Sequence, residues 1–180
     1  MNRILKNSAL SIIIGIILGS ITEYALILDI SWLIKITQSF IFWGIIMCIS
    51  SFVSKDYICS LINPILVLSA MNATYYTIRL IMSGYTNFGG WELYTFVGIT
   101  GSMYIGNIIF GIKELVIHHR NIGVQKCNFF FMTICYIIFT IVGFKNPIRH
   151  NLFYNKGLGI IIGFIIGMVI AKKYLKKKKG

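Results

Sequence analysis

Charge is what this sequence has least of. Asp, Glu, Lys and Arg make up 12% of the 180 residues, against about 25% in soluble domains. Acidic residues number five: Glu23, Asp29, Asp56, Glu92 and Glu114. That scarcity excludes a soluble single-domain enzyme. A chain that is 57% apolar, with a mean hydropathy of +0.80, could not hide so much apolar surface inside so small a body. Proline is nearly absent as well, with Pro64 and Pro147 alone, and no Pro- or Ser-rich linker divides the chain. There is no C-x-x-C pair among the four cysteines, and no motif names a substrate or a reaction.

What is present is long apolar runs with basic residues between them. Six runs approach the length that crosses about 30 Å of hydrocarbon: residues 8–28, 37–53, 57–82, 93–112, 128–144 and 157–171. The fold class expected is an all-α integral membrane bundle of six transmembrane helices in one transmembrane domain, residues 1–180. Arg3 and Lys6 precede the first run in the manner of a secretory signal. The run is longer than a signal core and lacks a small-x-small cleavage pattern, so it reads as a retained helix.

The net charge of +12 would suggest nucleic acid in a soluble protein. Here the cations lie between and beyond the apolar runs, which assigns them to topology and lipid, with no nucleic acid partner. With the amino terminus inside, Arg3, Lys6, Lys55, Lys113, Arg120, Lys126 and six tail lysines from Lys172 to Lys179 are cytoplasmic, twelve in all. Lys35, Lys145, Arg149 and Lys156 lie outside. Both termini are therefore expected in the cytoplasm, with the lysine-rich carboxy terminus against anionic head groups of a cell membrane, the inner membrane if the source is bacterial.

Cys48, Cys59, Cys127 and Cys135 are expected as free thiols in a reducing, apolar setting. His118, His119 and Cys127 share the longest cytoplasmic loop. Two histidines and one cysteine leave a zinc site without its fourth ligand, and no metal or cofactor is expected. A thiolate with a nearby histidine could serve a membrane-embedded hydrolase built on Cys127 and His119. Membrane proteases that process bacterial signalling peptides share the His-then-Cys order, but not the glycine-rich setting of their histidine. No enzymatic activity is the expectation, with the hydrolase as an alternative.

Polar residues inside the apolar runs carry most of the functional information, because each costs energy there. Glu23 lies two-thirds along the first run and Arg79 near the far end of the third. Both runs point outward, so the two side chains reach the same depth and can pair. Asn72, Tyr75, Tyr76 and Arg79 follow the three- and four-residue spacing of one helix face. Trp91 and Glu92 close the outer loop that follows. These seven residues outline an outward-facing polar pocket for a small polar or charged ligand; a structural ion pair with an aromatic interface belt is the plainer reading. Pro64 should kink the third helix. Gly15 and Gly19, and Gly159, Gly163 and Gly167, form small-residue stripes that let helix backbones approach, within the monomer or in an oligomer.

Gly15-Ile16-Ile17-Leu18-Gly19-Ser20-Ile21-Thr22, Trp43-Gly44, Tyr75-Tyr76, and Trp91 before a glycine-bearing span together resemble a family of small bacterial multi-pass membrane proteins of unknown function. The resemblance covers about residues 10–112 and implies architecture without activity. In size, helix number and basic charge the chain is also similar to the substrate-binding subunits of energy-coupling-factor vitamin transporters, in which Gly15 and Gly19 would match a small-x-x-x-small patch of the first helix. The function expected is a multi-pass inner-membrane protein that binds or moves a small polar solute, as a transporter or a transporter subunit with a partner membrane protein or a second copy. The alternative is a structural, immunity or assembly subunit without a ligand of its own.

Overall fold

The computed structural model describes the backbone of residues 2–84, 88–118, 122–144 and 149–177, and the side chains of residues 8–84, 90, 92–118, 122–141 and 156–172. Seven α-helices occupy the described residues: α1 Asn2–Ile27, α2 Ser31–Thr37, α3 Phe40–Val53, α4 Tyr57–Ser83, α5 Phe88–Val116, α6 Gly123–Phe144 and α7 Arg149–Lys177. Within them, four segments are long and apolar enough to cross a membrane: Ser8–Ile27, Tyr57–Ser83, Glu92–Val116 and Gly123–Ile141. Isoleucines 13, 17, 41, 45 and 49 are all exposed. An apolar exterior of this kind belongs against lipid, and the chain reads as a multi-pass membrane protein.

The second expected span takes a different form. α3 alone is 14 residues, about 21 Å at the helical rise, too short for the hydrocarbon core. It reaches spanning length only with α2, and the pair is bent by 54° at their junction. Gln38 and Ser39 break the helix because Ser39 adopts an extended backbone and its hydroxyl accepts from the N–H of Phe42 at 3.1 Å. This is an N-cap, which starts a new helix in place of continuing the old one. The sixth expected run lies inside α7, and the ends of that helix fall outside the residues with described side chains. The count is thus four spans, or five with the bent pair as one, among the described residues.

The chain divides into two compact units, Met1–Ser102 and Met103–Gly180, with the division inside α5. In the first unit, α1 and α4 run parallel at close range. A Cβ on Gly15 would strike the carbonyl oxygen of Val67, and one on Gly19 that of Met71. Only glycine lets the two backbones come so near. Val67 and Met71 of α4 are buried along this seam, while Leu68 faces Gly98 of α5.

α1 ends in a tight turn. Asp29 holds φ +50°, the Ile30 N–H reaches the Ala25 carbonyl at 2.9 Å, and the Asp29 N–H reaches that of Leu26 at 3.2 Å. This is the Schellman arrangement, with Asp in the left-handed position usually given to Gly.

The α3–α4 hairpin is pinned by serines. The missing N–H of Pro64 frees the carbonyl of Ser60 four residues earlier, and the Ser51 hydroxyl donates to that carbonyl at 2.9 Å. Ser54 donates to the carbonyls of Ser50 and Cys59 and accepts from Asn63 Nδ2 at 2.9 Å. α4 runs on through Pro64 to Ser83. Gly84, at φ +66°, then caps it, and its N–H bonds the Leu80 carbonyl.

In the second unit, α6 and α7 pack antiparallel. Cβ atoms on Gly159, Gly163 and Gly167 would meet Cys135, Phe131 and Asn128 in turn, each at backbone or at a buried amide. Met132 fills the centre with 0% exposure. Tyr104 of α5 pairs with Thr133 at 2.9 Å, and Asn107 Nδ2 donates to the Gln125 carbonyl at 3.0 Å.

Candidate functional site

The parallel α1–α4 seam sets the register of the polar residues above it. Gly19 lies against Met71 and Thr74, so one further turn brings Thr22 and Glu23 level with Tyr75, and Leu26 level with Arg79. At this end the helices part around a cavity of about 460 Å³, lined by residues from α1 to α5 of the first unit. α1 contributes Thr22 and Leu26, and α4 contributes Met71, Asn72, Tyr75, Tyr76 and Arg79. The broken α2–α3 segment supplies Thr37, Gln38, Phe40 and Trp43, and α5 supplies Tyr94.

The break shapes the cavity wall without leaving its backbone bare. Thr37 turns its hydroxyl onto the Leu33 carbonyl at 3.0 Å, and its own carbonyl accepts from Trp43 Nε1 at 3.0 Å. The N–H groups of Gln38 and Ser39 return to the carbonyls of Ile34 and Ile36. A helix can be interrupted in hydrocarbon only when its freed groups find such partners. Trp43 in turn meets Tyr94 edge-on, with centroids 5.7 Å apart.

Four of the seven residues proposed from sequence line this cavity together: Asn72, Tyr75, Tyr76 and Arg79. Arg79 Nη1 donates to the Tyr75 hydroxyl at 2.6 Å, and its guanidinium stands 5.7 Å from the Tyr75 ring centroid. Tyr75 and Tyr76 pack edge to face at 4.9 Å. Asn72 is 2% exposed, and its Nδ2 has no hydrogen-bond partner.

Glu23 is placed differently from the sequence expectation. It is 5% exposed and lies outside the cavity lining. Its Oε2 is buried with no hydrogen-bond partner. Arg79 acts on it electrostatically, yet no Lys or Arg nitrogen stands within 4.0 Å of it among the described residues. The reason is local: Arg79 spends its reach on Tyr75, one turn back on its own helix. Glu92 is exposed within α5 and does not line the cavity. It is not part of a loop, because α5 already begins at Phe88. The side chain of Trp91 falls outside the described residues.

Thr22, Leu26, Thr37, Gln38, Phe40, Trp43, Met71 and Tyr94 complete the lining and were not expected from sequence. Trp43 and Tyr94 carried a signal, as amphipathic aromatics near the ends of apolar runs. Thr37 and Gln38 carried none, because only the break turns them inward.

The cysteines and histidines form no second centre among the described residues. All four cysteines are free. Cys127 Sγ faces the Gly167 carbonyl at 3.6 Å, across the α6–α7 contact. His118 lies 4.0 Å from Glu114 one turn earlier, and His119 falls outside the described residues. No three His, Cys, Asp or Glu side chains converge as a metal site among the described residues. No protein-family model, curated protein or solved structure matches this chain, so its function has to be read from its own residues.

Proposed function

We propose that this chain is a multi-pass membrane protein that binds a small polar solute in the α1–α5 cavity, as a transporter or as the solute-binding subunit of one. The observation that carries this reading is Asn72: a buried amide whose Nδ2 lacks a partner, in the wall of a 460 Å³ cavity. A buried donor without a partner costs about 1–3 kcal/mol, and this one belongs to a residue of the cavity lining. The volume suits a small molecule, and the broken α2–α3 helix at its wall is the kind of discontinuity that forms solute sites in membranes. On the basic-residue count the cavity opens to the outer face, with both termini in the cytoplasm. A partner membrane protein or a second copy would complete a transport path.

Thermal unfolding of the detergent-solubilised protein against a panel of sugars, amino acids, carboxylic acids and vitamins tests the reading. A true ligand at 100-fold excess over its Kd should raise Tm by about 5–10 °C. Asn72→Leu, which fills the buried end with an apolar side chain, should abolish the rise. If no solute stabilises the wild type, or if Asn72→Leu responds equally, the cavity is not a solute site.

A further inference from the structure

We infer that the group this cavity receives is an oxyanion, the carboxylate or phosphate of a small molecule; this deepens the solute-binding reading and rests on it. The described lining contains one full charge, the guanidinium of Arg79, and no Asp or Glu. Arg79 donates one of its five N–H groups to Tyr75, and no carboxylate stands within 4.0 Å of it among the described residues. A planar guanidinium held in place by an aromatic ring is shaped for bidentate contact with a carboxylate or phosphate.

The remaining hydrogen-bonding groups point the same way. Thr22 and Thr37 donate to the carbonyls of Leu18 and Leu33 on their own helices. Trp43 Nε1 is committed to Thr37. The donors left for a ligand are the other N–H groups of Arg79, the hydroxyl proton of Tyr75, whose oxygen already accepts from Arg79, and the Gln38 amide and Tyr94 hydroxyl of the lining. Residues 75 and 79 are four apart, so their donors share one face of α4. The charged guanidinium and the Tyr75 hydroxyl face a space whose other walls include Phe40, Trp43 and Tyr94, with the Gln38 amide at the helix break. That combination recognises an oxyanion on an aromatic or otherwise apolar body. Glu23 lies outside the lining, within electrostatic reach of Arg79, and in its ionised form it opposes an anion in the cavity.

Matched probes test the inference on the full chain in dodecyl maltoside: benzoate, its neutral analogue benzamide, the cation benzylamine, and inorganic phosphate. Benzoate or phosphate should stabilise the wild type, with benzamide weaker. Arg79→Gln should lose ~10–100-fold in anion affinity, the range for hydrogen bonds to charged groups. Arg79→Lys should retain part of it, and Glu23→Gln should bind the anion more tightly. Stabilisation by benzylamine or benzamide but by neither anion overturns the oxyanion inference and leaves solute binding standing. Anion binding that survives Arg79→Gln unchanged overturns it too. Silence from all four probes overturns it, and the wider solute panel then decides the underlying reading separately.

The source of the oxyanion is resolved in nanodiscs of phosphatidylcholine with or without phosphatidylglycerol. A rise in Tm with phosphatidylglycerol in the wild type, lost in Arg79→Gln, supports the inference with a lipid head group as ligand. A rise with soluble benzoate or phosphate in phosphatidylcholine alone supports it with a free solute.

Discussion

Glu23 shows how much a single intramembrane carboxylate depends on its neighbours. Spacing along two outward-running helices invites a Glu23–Arg79 pair, and the parallel α1–α4 seam brings Glu23 level with Tyr75, one helical turn short of Arg79. The guanidinium nevertheless bonds Tyr75, while Glu23 Oε2 stays buried without a hydrogen-bond partner. The two arrangements predict opposite outcomes for Glu23→Met. Removing one member of a buried ion pair costs about 3–5 kcal/mol. Removing a buried carboxylate that lacks a partner relieves a desolvation cost, and an apolar side chain of similar size restores the packing. Glu23→Met should therefore unfold at the same temperature as the wild type or higher, measured in micelles without added solute. A drop of several degrees would mean that the pair forms.

Pro64 illustrates the element scale. A proline inside a spanning helix leaves a carbonyl with no intrahelical donor, and hydrocarbon offers no water to take its place. The neighbouring helix provides the donor, since Ser51 of α3, with 0% exposure, gives its hydroxyl to the Ser60 carbonyl. Ser51→Ala should cost about 1–3 kcal/mol by leaving that carbonyl unmet. In a Pro64→Ala background the new backbone N–H can bond Ser60 within α4. There the same Ser51→Ala change should cost less than about 1 kcal/mol, half or less of its cost in the wild type. Equal costs in both backgrounds, from denaturant or thermal unfolding, would show that the serine does not substitute for the backbone bond. The α2–α3 junction follows similar logic, with Ser39 capping the new helix and Trp43 satisfying the Thr37 carbonyl.

At the scale of the whole molecule, apolar exteriors and basic connections should set one orientation in the membrane. The proposed topology puts Lys35, after α1, outside and Lys55, between α3 and α4, inside. Both side chains are exposed. With Cys48, Cys59, Cys127 and Cys135 replaced, a cysteine at position 35 should react with an impermeant maleimide added to intact cells. One at position 55 should react only after permeabilisation. The reverse pattern would invert the topology and turn the cavity toward the cytoplasm.

Composition and periodicity were enough to identify an all-helical chain built for lipid, because burying apolar surface and pairing every backbone group leave few other solutions in hydrocarbon. The limits of α4 were legible at Tyr57 and within a residue of Ser83, since a polar turn and Gly84 bracket a single apolar run. The α4 face of the site was legible too, because Asn72, Tyr75, Tyr76 and Arg79 lie on one helix, where spacing alone determines which side chains are neighbours. The broken second span was not. An apolar window from 37 to 53 looks the same whether the chain runs straight or restarts at Ser39, and the bend depends on Trp43 and Thr37 meeting in space. Nor could spacing show which partner Arg79 would take or that Asn72 would be left without one. Those outcomes turn on distances between helices, and these are decided by how closely Gly15 and Gly19 let α1 approach α4.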